Sequence, residues 1–155
     1  MKNTEVIRAK QKLDNVFAKI AQLPEDDIEL KSHWARYLCI LVSGFLETSV
    51  RAIYSEYAKK VSNRNVANFV ERKLTDLQNP KMEKILQLTG AFNSEWESNL
   101  RIATEGELKD AINSIVANRN NIAHGQDVGI TYIRIKEYYE KAVQVINIIE
   151  NQCNL

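Results

Sequence analysis

Apolar residues recur every three or four positions over most of the chain, which is the spacing that places side chains on one face of an α-helix. The first such segment has its apolar positions at Val6, Leu13, Phe17 and Ile20. Thr4 is a suitable N-cap for this helix, and Leu23-Pro24 ends it because the residue before a proline avoids helical backbone angles. The chain therefore opens with a predicted amphipathic helix.

A long second helix is predicted from about Asp27 to Lys60, after an acidic run that suits the positive end of a helix dipole. Its main apolar stripe consists of Trp34, Tyr37, Leu38, Leu41, Phe45, Ala52 and Ile53. The segment 37–46 is apolar on nearly all sides, which indicates the central helix of a bundle. It is far shorter than the ~20 residues that span a bilayer, so we expect no membrane contact.

The middle of the chain, after a break at Ser62-Asn63, has shorter apolar periods. We predict one helix over 64–77 and a second that begins at Pro80 and ends at Gly90. The stretch 93–103 is either a short helix or an ordered loop. These segments lie between the long second helix and the last third of the chain.

The last third of the chain carries two further helices. Thr104, with Glu107 three residues on, forms a capping-box pattern for a helix that ends at Gly125. The final helix begins near Thr131. The predicted fold is therefore all-α, a single domain over 1–155 in which four principal helices and one or two short ones form a bundle.

Composition supports helices and narrows the classes of function. Gly and Pro number 5 and 2, too few for an all-β fold that needs them at its many turns. The 21 Lys and Arg nearly balance the 20 Asp and Glu. This balance excludes a polycation that coats nucleic acid by net charge, but it leaves a local basic groove open.

Cysteine and histidine are scarce. Cys39 lies in an apolar run and is expected in the core, whereas Cys153 is expected at the surface. The wide separation of these two cysteines and the presence of only two histidines, His33 and His124, argue against a disulfide framework and a structural zinc site. We therefore predict no metal, no cofactor and a reducing, cytoplasmic location.

One charged residue breaks the apolar stripe of the penultimate helix. The stripe runs through Leu108, Ile112 and Ile115 and then meets Arg119 before Ile122. Because an unpaired guanidinium is costly to bury, Arg119 requires a carboxylate, a subunit interface or an anionic ligand beside it.

Asn120 and His124 follow Arg119 at a spacing that places both on one helix face. On an ideal helix Arg119 and His124 point about 140° apart, so a shared site needs a distorted last turn, the reach of the arginine or a second subunit. The simpler interpretation makes Arg119 an interior ion-pair residue and His124 a residue favoured by the helix dipole.

A second polar stripe lies on the long helix, at Arg36, Ser43, Glu47 and Arg51. The simpler interpretation is a solvated face with a Glu47–Arg51 ion pair. The alternative is that Glu47 holds a buried arginine, either Arg51 or Arg119. The stretch 51–84 holds eight Lys or Arg and four Asp or Glu, which is a dilute basic surface.

The motif Arg119-Asn120-x-x-x-His124, at the end of a penultimate helix in an all-α chain of this length, resembles the HEPN family (higher eukaryotes and prokaryotes nucleotide-binding domain). That family's pattern is Arg, four to six residues and then His, often with a polar residue after the Arg. The stretch from Trp34 to Tyr57 and the Tyr138-Tyr139 helix are also similar to bacterial HEPN proteins.

The resemblance implies a metal-independent endoribonuclease acting on RNA, with Arg119 and His124 as catalytic residues and Asn120, Glu47 and Arg51 as supporting ones. It also implies a homodimer with a composite active site. The role would be that of a toxin with a cognate antitoxin or other regulatory protein, or of a phage-defence effector. The alternative is a non-catalytic helical dimerisation or nucleotide-binding module.

The implied chemistry suits these residue types. An imidazole, with an ordinary pKa of ~6.5, can accept the proton of a ribose 2′-hydroxyl near neutral pH, and an arginine can stabilise charge on the phosphoryl oxygens. Some family members carry a Tyr two residues after the His that is modified to silence the toxin. Position 126 is Gln here, so that form of regulation is not expected.

Overall fold

The computed structural model describes residues 1–153, which form seven α-helices and no β-strand. The helices are α1 (Thr4–Ala21), α2 (Ile28–Val61), α3 (Arg64–Leu74), α4 (Met82–Phe92), α5 (Ser94–Thr104), α6 (Glu107–Ala123) and α7 (Tyr132–Gln152). The predicted all-α bundle is confirmed, with α1, α2, α6 and α7 as its four principal helices. The short helices number three in this part of the chain, one more than the prediction allowed.

Helix α2 lies at the centre of the bundle and packs against α1, α3, α6 and α7. By length and composition alone it could cross a membrane, but more than half of its most apolar window is buried by the other helices. Its central side chains, including Leu38, Val42 and Leu46, are fully buried. Core packing therefore accounts for the apolar composition of α2.

The predicted inward stripe of α2 is correct at Leu38, Phe45 and Ile53, which are buried, and wrong at Tyr37. Tyr37 is 47% exposed, and its neighbour Ile40 is 40% exposed. The physical reason is that segment 37–46 is apolar on nearly every side, so periodicity does not distinguish the core face from the outer one. An apolar strip of α2 thus remains on the surface.

Local capping signals set the starts of two principal helices as predicted. Asp27 caps α2, with its Oδ1 accepting the N–H of Leu30 at 2.9 Å. Thr131 caps α7 in the same way, with its Oγ1 accepting the N–H of Arg134 at 3.2 Å. Each side-chain oxygen satisfies a backbone donor that the first turn of a helix leaves unpaired.

The predicted cap of α1 is wrong by one residue. Asn3, and not Thr4, caps the helix by accepting the N–H of Val6 at 3.0 Å. The backbone N–H groups of Lys2 and Asn3 both donate to Oε1 of the buried Glu150 on α7, at 2.8 and 2.6 Å. This carboxylate fixes the start of α1 on α7, a long-range contact that local pattern does not reveal.

The predicted capping box of α6 is also wrong. Thr104 is the last residue of α5, and its hydroxyl donates back to the carbonyl of Leu100 at 2.8 Å. Gly106 precedes α6 with φ of +90°, a conformation that favours glycine, and makes no side-chain cap. Helix α6 therefore starts at Glu107 without the predicted box.

Gly90 does not end α4, which continues to Phe92. A Cβ atom at Gly90 would meet the Glu97 carboxylate of α5, so the glycine serves the close approach of two helices. Cys39 is buried as expected, whereas Cys153 is buried against expectation. Burial raises the pKa of both thiols to about 12.

Candidate active site

The C-terminus of α6 has the geometry that its sequence predicts. Gly125, at φ of +72°, donates its N–H to the carbonyl of Ile122 at 3.0 Å, and Gln126 donates to the carbonyl of Asn121 at 2.9 Å. These two bonds form a Schellman motif, so the prediction that Gly125 closes the helix is confirmed. The motif places His124 at the C-cap, with its side chain exposed to solvent.

Arg119 lies one turn earlier, half-buried at the edge of a cleft of about 320 Å³. The cleft lies between α2 and the loop that follows α3, and its other lining residues are Ile40, Ser43, Gly44, Glu47, Gln78 and Asn79. Nη1 of Arg119 donates to Oδ1 of Asn120 at 3.4 Å, a long hydrogen bond. Within residues 1–153, no carboxylate lies within 4.0 Å of the Arg119 guanidinium.

Glu47 pairs with Arg51 and not with Arg119. Its Oε1 lies 3.0 Å from Nη2 of Arg51, while its Oε2 accepts the backbone N–H of Asn79 at 2.6 Å. Arg51 in turn donates to the carbonyls of Thr75 and Leu77. Of the two partners that the sequence offers to Glu47, the structure selects Arg51, and this pair fastens the 75–79 loop onto α2.

The cleft therefore combines the Arg119 guanidinium, which has no acidic partner in the described chain, with one unpaired hydroxyl, that of Ser43. The Ser43 hydroxyl is buried there and, among the described residues, makes no hydrogen bond. Glu47, the one acidic residue lining the cleft, is already engaged by Arg51 and Asn79. The Arg119 guanidinium, which lacks an acidic partner in the described chain, favours binding of an anion, because a phosphate oxygen would pair with it.

His124 does not line the Arg119 cleft. Helix α6 remains α-helical to Ala123, so the predicted angle of about 140° between the two side chains is not removed by a distorted turn. Within one chain the structure thus joins Arg119 to Asn120 and joins Glu47 to Arg51, but it leaves His124 on a different side of the helix.

The loop after His124 contacts α2. Nη1 of Arg36 lies 3.3 Å from Oδ1 of Asp127, and Nη2 of Arg36 lies 2.6 Å from Nδ1 of His33. The sequence places Arg36 on a polar stripe but carries no signal for this contact, because Asp127 is 91 residues away along the chain. Arg36 therefore contacts the loop that follows His124 through an exposed ion pair.

Larger clefts lie elsewhere, including one of about 540 Å³ between α1, α2 and the start of α7. Neither Arg119 nor His124 lines it, and it brings Glu25 and Lys31 together with isoleucines. The Arg119 cleft is therefore distinguished by its arginine and not by its size or net charge, because each cleft is lined by one acidic and one basic residue. Among residues 1–153, no cluster of three or more His, Cys, Asp and Glu side chains is arranged to hold a metal ion.

The described chain is an all-α bundle of seven helices. The model of the family described as RiboL-PSP-HEPN matches residues 4–155, which is nearly the whole chain. The chain therefore belongs to the HEPN family, and the resemblance inferred from its sequence is confirmed. No curated protein and no solved structure matches the chain.

Proposed function

We propose that this HEPN domain is a metal-independent endoribonuclease that cleaves single-stranded RNA by attack of a ribose 2′-hydroxyl on the adjacent phosphate. The observation that carries the proposal is the state of Arg119. It is half-buried beside a cleft, it has no carboxylate partner in the described chain, and the nearby Glu47 is committed to Arg51. A phosphate is the ligand that best satisfies such a guanidinium.

The reaction assigns one role to His124 and one to Arg119. A neutral His124 imidazole accepts the 2′-hydroxyl proton, and the 2′-oxygen bonds to phosphorus while the bond from phosphorus to the 5′-oxygen of the next nucleotide breaks and that oxygen takes a proton from water. Arg119 stabilises the negative charge on the phosphoryl oxygens. The products are a 2′,3′-cyclic phosphate and a 5′-hydroxyl, and DNA does not react because it lacks the 2′-hydroxyl.

A homodimer reconciles this chemistry with the 140° angle, because Arg119 of one protomer can meet His124 of the other. The exposed side chains of Tyr37 and Ile40 support an interface at this place. Ile40 lines the Arg119 cleft, and Tyr37 lies one turn before it on α2. Apolar side chains exposed beside a functional cleft are typical of an association surface.

In the cell, the proposed activity is that of a toxin or phage-defence effector in the cytoplasm, restrained by a cognate antitoxin or another regulatory protein. Gln126 replaces the Tyr that some family members use for silencing by modification. We therefore propose restraint by a bound partner, with no modification at that position.

The test uses purified protein and single-stranded RNA in the presence of EDTA. Wild-type protein should cleave RNA to 2′,3′-cyclic phosphates, detected by mass spectrometry, and leave DNA of the same sequence intact. Arg119→Ala should reduce cleavage at least about 100-fold and His124→Ala should abolish it, while circular dichroism shows intact helices. Arg8→Ala, at an exposed arginine of α1, and Gln126→Ala are the matched controls and should cleave normally. Undiminished cleavage by His124→Ala would contradict the proposal.

A non-catalytic nucleotide-binding or dimerisation module is the second candidate. It is favoured by one observation, that His124 lies outside the cleft that holds Arg119 and Ser43. Such a module would bind a nucleotide phosphate through Arg119 without cutting RNA. Inertness toward all RNAs, together with nucleotide binding that Arg119→Ala removes and His124→Ala preserves, would select this function.

A further inference from the structure

The surface around α3 is more positive than its composition indicates. Three of the four carboxylates between residues 51 and 84 are neutralised by ion pairs, Glu56 with Lys60, Glu71 with Lys59 and Glu83 with Arg101. In the part of the chain that the structure describes, five exposed cations of this segment have no ion pair, and they are Arg64, Arg72, Lys73, Lys81 and Lys84. Against them stands a single free carboxylate, Asp76.

Two of these cations, Arg72 and Lys73, lie beside an exposed aromatic ring on α3. Phe69 is 63% exposed, and Nζ of Lys73 lies 5.9 Å from the centroid of its ring. Arg72 is three residues after Phe69, so the two cations lie on either side of the ring on the helix surface. A ring flanked by positive charge is the combination that proteins use to stack a nucleic-acid base and hold the neighbouring phosphates.

Helix α3 is also held at a fixed position beside the Arg119 cleft. The loop that leaves α3 is fastened to α2 by the Glu47–Arg51 pair, and its residues Gln78 and Asn79 line the cleft. Glu71 lines a separate cleft between α1 and α3, and Phe69 points about 160° away from Glu71 on the helix. Phe69 therefore faces away from α1.

We propose that the Phe69 surface, defined as Phe69, Arg72 and Lys73, is a binding site for single-stranded RNA that continues from the Arg119 cleft. Phe69 stacks on a base, and the two cations contact the phosphates on either side. The identity of the ligand follows from charge complementarity. The ring is flanked by two free cations and by the exposed amides of Asn65 and Asn68, with Val66 as its exposed apolar neighbour on the same helix face, and this polar, positive surround fits a nucleic acid better than the apolar core of a protein interface.

This site deepens the proposed ribonuclease function and rests on it in one respect, that the RNA strand enters at Arg119. Binding to the Phe69 surface is measured separately from cleavage by using RNA with 2′-O-methyl sugars, which cannot undergo attack by a 2′-hydroxyl. A labelled dodecanucleotide can reach from the cleft to α3, whereas a trinucleotide occupies the cleft alone. Fluorescence anisotropy gives the affinity of each.

Phe69→Ala should weaken dodecanucleotide binding by about 5- to 100-fold, the loss expected for one stacked base, and leave trinucleotide binding unchanged. Phe69→Trp should bind within about threefold of wild type because it keeps an aromatic face. The matched control is Ile102→Ala on α5, where the side chain is 78% exposed, and it should have no effect.

The charges are tested through salt dependence. Removing one phosphate contact reduces the slope of log affinity against log salt by about 0.7 for a single strand, so Arg72→Gln with Lys73→Gln should reduce it by about 1.4. Arg8→Gln with Lys12→Gln removes the same two residue types from the exposed face of α1 and should leave the slope unchanged.

Equal dodecanucleotide affinity in wild type and Phe69→Ala would overturn the proposal. An equal reduction of the salt slope in the Arg72→Gln/Lys73→Gln variant and in the Arg8→Gln/Lys12→Gln variant would overturn it as well. The outcomes also separate the two claims. Cleavage that depends on Arg119 but is indifferent to Phe69 would overturn the RNA site alone. Dodecanucleotide binding that depends on Phe69, in a protein that cleaves nothing, would support the site and refute the ribonuclease.

Discussion

Arg51 and Arg119 both belong to the region around Glu47 and have opposite surroundings. Arg51 pairs with Glu47 and donates to two loop carbonyls. Arg119 lines the same cleft as Glu47 but makes one long hydrogen bond, to Asn120. The comparison separates an arginine whose hydrogen-bonding groups are used to hold the fold from one whose charge remains available.

The difference shows that position on a helix stripe does not decide the role of an arginine. Both residues are half-buried and both come from polar breaks in apolar helices. What distinguishes them is the 75–79 loop, which brings acceptors to Arg51 and none to Arg119. We therefore infer that Arg51 and Glu47 are positioning residues and that Arg119 is the ligand-binding one.

The largest predicted effect is on activity at Arg119. Arg119→Ala should lower the rate of RNA cleavage by about 10²- to 10³-fold, because it removes a charge that stabilises the transition state. The free energy of unfolding of this variant should change by less than about 0.5 kcal/mol, since the Arg119 side chain makes one long hydrogen bond and no ion pair within the described residues. Single-turnover cleavage and urea denaturation measure the two quantities. A large loss of stability would make Arg119 a structural residue like Arg51.

Arg51→Ala should mainly affect stability, where Arg119→Ala mainly affects activity. We expect it to lower the free energy of unfolding by about 2 kcal/mol, because it removes an ion pair to Glu47 and leaves the carbonyls of Thr75 and Leu77 without that donor. Urea denaturation measures the loss. Arg134→Ala, at an exposed arginine on α7 whose ion pair is with Glu137 three residues on, is the control and should lose well under 1 kcal/mol. Equal stability of both variants would contradict the positioning role.

A smaller effect is predicted at Arg36, which contacts the loop after His124 through Asp127. Arg36→Ala should reduce the cleavage rate by about 3- to 10-fold without changing the affinity for RNA, because a looser loop misplaces His124. Steady-state kinetics separate the effect on kcat from that on KM. An increase in KM alone would show that Arg36 binds substrate directly.

The smallest effect at neutral pH concerns side chains in the interior of the bundle, whose pKa values are shifted by burial. Burial raises the pKa of Cys39 from 9.0 to about 12, and burial together with its hydrogen bond to Asp14 raises the pKa of Tyr139. The folded state thus holds these protons more tightly than the unfolded state. The stabilising contribution of Cys39 is complete below pH 9 and is lost as the pH rises from 9 to about 12, whereas that of Tyr139 is complete below pH 10 and is lost only above it.

The free energy of unfolding should therefore fall across this alkaline window. The fall should be shallower in Cys39→Ala, because that variant has one fewer shifted group. Urea denaturation at a series of pH values measures the slope, and Ser55→Ala, which changes no titrating group, is the control. An identical slope in wild type and Cys39→Ala would show that the thiol is not protected by the fold.

The fold was predictable where its signals are local. Asp27, Thr131 and Gly125 cap helices through contacts within a few residues, so their patterns predicted the boundaries correctly. Thr104 satisfied a local pattern as well, but its hydroxyl bonds back to Leu100 and the chain turns at Gly106. A threonine in this pattern can therefore cap the next helix or end the preceding one, and the sequence does not show which of the two forms.

The candidate site was predictable only in part. Arg119 was visible because it interrupts an apolar stripe, and the Glu47–Arg51 pair followed from their spacing. The contact of Glu47 with Asn79, 32 residues away, depends on the path of a loop that periodicity does not describe. The sequence alone predicts Phe69 on the apolar side of its helix together with Val66, Val70 and Leu74, whereas the structure exposes its ring.

The proposed composite site, which takes Arg119 from one protomer and His124 from its partner, is tested most directly by mixing two inactive variants. Arg119→Ala and His124→Ala protein are unfolded together, refolded and assayed for RNA cleavage in EDTA. Random pairing gives half mixed dimers, each with one intact site of two, so we predict about a quarter of wild-type activity. No activity in the mixture, from dimers shown to have exchanged, would contradict the composite site.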